Sequence, residues 1–397
     1  MAQSEHLEAE VVDRVREAGL DPVKVGGLVE RAGRDITEGA VGSCQLAIAR
    51  HGDVVFDVTL GSAQPEDRFV IFSCTKALVD AAVWLAMSDG LLSADTKACE
   101  VIDGFGSNGK DVVTVQMLLT HTAGFPTAPM GPADWHDRES RRHRMSRWRL
   151  NWEPGTRFEY HPTAAHWVLA ELVESVFGAD YRAVVHDRVL EPLGLEQLQL
   201  GSPHGSPMIG VRPVLITGAY PTPDELEAAI GIRLDITELL GEVTDEAKVL
   251  LSEPENLAVG ISGGGAVSTA SNLAMFYQGL LSDPAGLWDP DVLTMATSTV
   301  LCDLPDPMLG FPANRSLGLV VAGDDGNAPF RGFGHTVSPR TFGHNGAGGQ
   351  IAYADPDTGL SFVYLTDSHD RNLVREWKRS ASLASRAASC IRADPSQ

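Results

Sequence analysis

The chain has few cysteines, and those it has form no pattern. Cys44, Cys74, Cys99, Cys302 and Cys390 are odd in number and scattered, with no C-x-x-C and no paired Cys/His spacing. That excludes a disulfide scaffold and a structural zinc site and leaves free thiols. Positive charge is scarce too: 31 Lys and Arg stand against 53 Asp and Glu, a formal net charge of -22. A nucleic-acid backbone or an anionic membrane surface would repel such a chain, so neither is expected as a partner. No apolar run is long enough to span a bilayer. The start, with Glu5, Glu8 and Glu10, lacks the basic and apolar regions of a secretory signal. A cytoplasmic protein acting on small molecules is the expectation.

What is present is a mixed pattern of strands and helices, with no internal repeat and no low-complexity segment, in 397 residues that can bury a sizeable core. Residues 6–19 carry apolar and charged residues at helical spacing. Val54, Phe56, Val58 and Leu60 alternate with other residues. With the run from Gln45 to Arg50 they predict a hairpin with one buried face, turning at His51-Gly52-Asp53. The runs from Gln350 to Ala354 and from Leu360 to Thr366 predict a second hairpin, and a last helix runs from about Asn372 to Cys390. Between these ends the pattern is mostly helices and loops. A helix over Val115 to Leu119 should stop at His121, with Gly124 as its left-handed cap. A helix pair covers 163–190, and another helix follows Ser268-Thr269-Ala270-Ser271. Thr222, Pro223 and Glu225 announce a short helix inside an irregular stretch over 201–256. Six arginines between Arg138 and Arg149 read as a solvated face pairing with carboxylates. The order predicts an α/β (α+β) fold with an antiparallel sheet from both chain ends, residues 1–95 with 310–397, flanked by helices. A mostly helical domain over 96–309 is inserted, with the site between the two.

Three segments carry chemistry. Ser73-Cys74-Thr75-Lys76 precedes Ala77, Leu78, Ala81, Ala82 and Leu85, apolar positions that predict a helix to Gly90 with Ser73 in its first turn. Residues three apart on a helix project from the same side, so an amine is held beside a hydroxyl that needs a base to become a nucleophile. Cys74 points about 100° away, a packing residue. The second S-x-x-K, Ser107 to Lys110, lies among glycines without helical periodicity and reads as a solvated turn. Tyr160 follows the Pro154-Gly155-Thr156 turn ahead of a helix. Near Lys76 its phenolate would be stabilised by the ammonium. Third, Gly343-His344-Asn345-Gly346-Ala347-Gly348-Gly349 leads into a strand. Its glycines let backbone approach a ligand, and an edge N–H there can donate to an oxyanion.

In order and spacing these segments resemble the serine hydrolases related to class C β-lactamases and penicillin-binding proteins, most closely the family VIII carboxylesterases. Leu118 to Gly124, Glu191 to Leu195 and Gly263 to Ala270 resemble that group as well. The resemblance implies a β-lactamase/transpeptidase-like fold and an acyl-enzyme on Ser73. Lys76 and Tyr160 would share proton transfer, and the N–H groups of Ser73 and Ala347 would hold the oxyanion, with Gly346, His344 and Asn345 lining the substrate. Which of Lys76 and Tyr160 is the base stays open. β-Lactamases of this type carry Tyr-x-Asn and Lys-Thr-Gly, where this chain has Pro162 and His344-Asn345-Gly346. Without the amide and the fixed charge, a short-chain ester substrate is favoured, with weak β-lactamase activity. β-Lactamase, D-amino-acid peptidase or transesterase action at the same site is the alternative, and a non-catalytic ligand-binding module is the alternative of another class. No cofactor or metal is implied, and nothing signals an oligomeric state. A competing nucleophile, Ser262 in Gly260-Ile261-Ser262-Gly263-Gly264, fits G-x-S-x-G but lacks the strand before and helix after that an elbow needs. It reads as a glycine turn.

Overall fold

The computed structural model describes residues 7–231, 233, 235 and 244–392. Its strands are β1 (Ser43–Arg50), β2 (Asp53–Gly61), β3 (Phe69–Val70), β4 (Gln199–Leu200), β5 (Leu215–Thr217), β6 (Ala266–Ser268), β7 (Val320–Val321), β8 (Phe342–Gly343), β9 (Ile351–Asp355), β10 (Leu360–Thr366) and β11 (Ser368–Asp370). Six of them form one sheet in the order β2-β1-β10-β9-β8-β7, antiparallel throughout. Both chain ends therefore supply the sheet, as the alternation predicted. The first hairpin turns at His51 and Gly52, whose φ values of 57° and 86° are both positive, the geometry of a two-residue turn matched to strand twist.

β1 departs from the expectation of one buried face. It sits inside the sheet between β2 and β10, and every residue from Ser43 to Ala49 is buried. Period two still sorts its side chains. Cys44, Leu46 and Ile48 share a core with Val25, Leu28 and Ala32 of the Pro22–Thr37 helix and Leu383, Ala384 and Ala387 of the Leu373–Ala388 helix. Ala47 and Ala49 face the other core with Leu273, Ala274 and Tyr277 of the Ala270–Ser282 helix. Gln278 of that helix ties both hairpins together. Its amide donates to Ala49 O at 3.2 Å and Ser361 Oγ at 3.0 Å, and its oxygen accepts from Gly52 N at 3.0 Å.

The Lys76–Ser88 helix runs through the middle of the molecule, buried on every side from Lys76 to Ala86. Trp84 Nε1 donates to Leu317 O and Trp288 Nε1 to Ala81 O, both at 3.0 Å, so bulky rings lock it without orphaning a donor. The arginine run pairs with carboxylates as read, but its inner face is not solvated: it forms the Arg138–Arg147 helix, and Arg138, the buried Arg141 and Arg142 pair with the buried Glu171 and Glu174 of the Ala164–Phe177 helix. The Thr222 capping box is present, heading the Pro223–Ile230 helix. The second S-x-x-K is a correction. Lys110 is buried rather than solvated, and its ammonium donates to Ser107 O at 2.5 Å and Trp148 O at 2.7 Å.

All five cysteines are free, four of them buried. Among the described residues no helix is long and apolar enough to cross a membrane.

Candidate active site

The site starts from a strained turn. β3 ends at Val70, Ile71 N bonds Ala266 O of β6, and Phe72–Thr75 form one 3-10 turn ahead of the central helix. Phe72 holds φ at +45°, a left-handed conformation that costs a non-glycine residue about 1–2 kcal/mol. Its ring, buried with Val70, Val214, Leu257 and Val267, keeps it there. From Arg68 through Ala86 every residue is buried except Ser73, which is partly exposed.

Lys76 stands one turn on, as the spacing predicted. Its Nζ lies 3.2 Å from Ser73 Oγ and donates to Pro162 O at 2.7 Å and Gly263 O at 2.6 Å. Gly263 has to be glycine for this, since a Cβ there would stand 2.8 Å from Pro162 O and 3.5 Å from Nζ. The surrounding segment disposes of the competing nucleophile. Around Ser262 the order is helix (Pro254–Val259), glycine turn, then β6, the reverse of an elbow, and Ser262 is fully buried.

Tyr160 is brought into the same place. Lys76 Nζ lies 5.1 Å from its ring centroid, and the rings of His121 and His344 lie at 4.7 and 5.9 Å. The strand-like stretch that presents it is locked by two histidines. His161 N donates to His121 Nδ1 at 3.2 Å, His161 Nδ1 donates to Glu159 O at 2.6 Å, and Phe125 N donates to His161 Nε2 at 3.1 Å. The helix over Val115–Leu119 stops at His121 as expected, but its left-handed cap is His121 and not Gly124. His121 occupies the left-handed place itself (φ 57°), with Thr122 N bonding Met117 O and His121 N bonding Leu118 O. Gly124 is glycine because its Cα approaches Trp152 O, which a Cβ would meet at 2.6 Å.

The third segment reaches the Ser73 turn from the sheet. Gly346 pairs with Gln350, and any Cβ on Gly346 would collide with Ile71 O just before the Ser73 turn. Ala347 packs against the Val70–Phe72 core, and its N–H has no partner among the described residues. Gln350, absent from the sequence reading of the site, clamps this turn: its amide donates to Val70 O at 3.1 Å and Thr366 O at 2.8 Å. Asn345 spends its amide on backbone, accepting from Ala352 N and donating to Gly332 O. His344 is buried. Its Nδ1 donates to Asn345 O at 2.9 Å, its N is held by Tyr277 Oη at 3.0 Å, and its Nε2 has no partner. Burial, with Arg315 and Lys76 adding to it, pushes His344 well below the usual imidazole range, and does the same to His121 and His166. All three are neutral at pH 7.

Two further groups escaped the sequence reading. Asp80 and His166 form a buried pair, Oδ1 to Nε2 3.1 Å, and burial pushes Asp80 up and His166 down, toward the neutral pair. Arg315 is buried with its guanidinium 5.4 Å from the Tyr160 ring centroid and 5.6 Å from that of Phe158. Its only signal was a charge set just before the apolar Leu317-Gly318-Leu319-Val320-Val321 run. Among the described residues, the metal-type ligands that come within reach of one another are His186, Asp187 and His204. They lie in surface turns that carry none of the residues above and are joined by their own hydrogen bonds.

Residues 28–385 match the family model described as Beta-lactamase. The esterase/beta-lactamase LipL of Mycobacterium tuberculosis is 25% identical, covering 84% of this chain and 78% of its own. A penicillin-binding protein homologue from Caulobacter crescentus has a TM-score of 0.75 at 24% identity, over 94% of this chain and 99% of its own. A family VIII carboxylesterase has a TM-score of 0.69 at 20% identity, over 96% and 98%. With a helix-flanked antiparallel sheet and a match that runs through all three segments, the chain belongs to the Beta-lactamase family of serine hydrolases.

Proposed function

We propose that this chain is a serine carboxylesterase that cleaves short-chain esters through an acyl-enzyme on Ser73. The setting of Lys76 carries the reading. Two backbone carbonyls take two of its hydrogens, and its third direction faces Ser73 Oγ at 3.2 Å. A neutral amine pinned this way aims its lone pair at the serine proton, and an ammonium aims a hydrogen back at the same oxygen. One frame thus serves removal and return of the proton.

In the first half-reaction Ser73 Oγ bonds to the ester carbonyl carbon while its proton passes to the Lys76/Tyr160 pair. The carbonyl π electrons move onto oxygen, between the N–H groups of Ser73 and Ala347. Collapse breaks the bond to the alkoxy oxygen, which takes the proton and leaves as an alcohol. Water then bonds to the acyl carbon, giving its proton to the same pair, and Ser73 Oγ departs with that proton to release a carboxylic acid.

Two features favour an ester over a β-lactam. Where β-lactamases of this type place a lysine, this chain has a neutral, buried His344, which offers no charge to a substrate carboxylate. Pro162 has one polar atom, its carbonyl, and that is spent on Lys76. The printed name of LipL joins esterase to beta-lactamase, and a neighbour in fold is a carboxylesterase, which supports the same direction.

The test is a panel of short-chain aryl esters, amides and β-lactams on wild type, Ser73→Ala and Ser262→Ala, with the acyl adduct located by mass spectrometry. Ester turnover should fall by about 10³-fold or more in Ser73→Ala and stay within about twofold in Ser262→Ala. Faster turnover of penicillins or cephalosporins than of aryl esters would replace the esterase reading with a β-lactamase one. Absence of any adduct would leave the ligand-binding module.

A further inference from the structure

Among the described residues Arg315 has no ion-pair partner: it is buried, its Nε and Nη1 have no hydrogen-bond partner and no carboxylate lies within 4.0 Å, so that Asp306 and Asp80 act on it only from longer range. Its neighbours are aromatic: Phe158 on one side, Tyr160 on the other, in a small cluster with Cys302, Ala313 and Leu304. A buried cation without a partner is costly, and a chain keeps one where it acts on something. Its backbone is tied down by Cys302, whose N donates to Arg315 O at 3.0 Å and whose O accepts from Arg315 N at 2.9 Å, so the side chain is delivered from a fixed point.

We propose that Arg315 is the fixed cation of this active site, a positioning residue that acts on the reaction through the face of the Tyr160 ring and does not touch substrate. The charge that β-lactamases of this type place in Lys-Thr-Gly has moved in this chain to a different segment and a different target. A guanidinium over the face of a phenol stabilises negative charge on that ring, and although burial lowers the Arg315 pKa it starts so high that the group stays charged near neutrality. The other groups that face Tyr160 cannot supply this. Lys76 shares the travelling proton with Tyr160 in the proposed reaction and so is no fixed charge, and His121 and His344 are neutral. Cys302 is a thiol whose ionisation burial opposes, while Asp80, with His166 behind it, is pushed by burial toward its neutral acid. Arg315 is therefore the group near that ring whose positive charge persists throughout the cycle.

The inference rests on the hydrolase reading, and its test separates the two. Rates with a neutral short-chain aryl ester are measured against pH for wild type, Arg315→Met and Arg315→Lys, and for Arg315→Met in a Tyr160→Phe background. Thermal melts and labelling of Ser73 by a fluorophosphonate are run on each. In Arg315→Met, kcat at neutral pH should fall about 10- to 100-fold with KM within about threefold, and the acid limb of the profile should move about one pH unit to alkaline. Arg315→Lys should recover most of the loss. In Tyr160→Phe the second substitution should cost less than about threefold, because its target is gone. The same loss at every pH, a loss carried in KM, or full additivity with Tyr160→Phe overturns the proposal while Ser73 still labels. Failure of wild type to label at Ser73 overturns the hydrolase reading instead. Should Arg315→Met not fold, Arg315→Lys carries the test: an acid limb that moves although the charge is kept counts against it.

Discussion

Lys76 and Lys110 are both buried amines held by backbone carbonyls, and what separates them is the remaining partner. Lys76 has a serine hydroxyl at 3.2 Å, whereas Lys110 has the carbonyls of Ser107 and Trp148 and the Phe105 ring. Lys110 is therefore a staple between its own turn and the end of the arginine helix. Replacing Lys110 with Met should cost about 2 kcal/mol in a denaturant titration, from two charged hydrogen bonds lost, and leave kcat unchanged. Replacing Lys76 with Met should abolish ester turnover. Equal loss of activity in both would sink the distinction. At this scale the motif was legible but its neighbours were not. The pattern S-x-x-K says how two side chains sit on one helix, and nothing in it says which carbonyls the amine will meet. Arg315 and His166 lie in chain segments far from Ser73, and only tertiary packing brings them near it; Asp80 stands one turn beyond Lys76 on the same helix, but nothing in the sequence says that it is paired with a histidine.

Elements that carry a period over five residues or more were legible: both hairpins of the sheet, the central helix, the capped Pro223–Ile230 helix and the last helix. The two- and three-residue strands β3, β4, β5, β6, β7, β8 and β11 were not, because alternation needs more residues than they contain, yet β3, β6 and β8 are what align the Ser73 turn with the Gly346–Gln350 turn. That alignment is fragile in a definite way. Gly346→Ala places a methyl against Ile71 O, so the turn must lift away from Ser73. Activity should fall by about 10- to 100-fold while the melting curve changes little, since the strain is released into solvent. Gln350→Leu should act on both. It orphans Val70 O and the Thr366 backbone pair, costing about 1–3 kcal/mol for each buried group, and loosens the same turn. An active, equally stable Gln350→Leu enzyme would show that the clamp is idle.

Among the described residues five histidines are buried: His121, His161, His166, His344 and His369. Burial pushes His161 and His369 down to about 4 and the other three well below 6.5. The unfolded chain takes up protons on them below pH 6.5 and the folded chain does not, so stability falls as pH drops from 6.5 toward 4. Each contributes up to about 1.4 kcal/mol per pH unit. Glu376, raised to about 7, and Asp80 and Glu174, both raised by burial, act in the opposite sense, three groups against five. Denaturant titrations at pH 7.5 and 5 should give a lower midpoint at pH 5, and an equal or higher one would refute the balance. The sheet sets a different limit. β1 is bordered by β2 on one side and by β10 on the other, with Cys44 opposite Thr366 and Arg50 opposite Leu360. A ribosome adding about 5–20 residues per second needs roughly tens of seconds to travel from one to the other. For that interval the nascent protein carries an open β edge with Leu46 and Ile48 beside it, a template for pairing between neighbours on a polysome. Yield in a heterologous host should therefore respond to translation speed and to holding chaperones more than to any change made around Ser73.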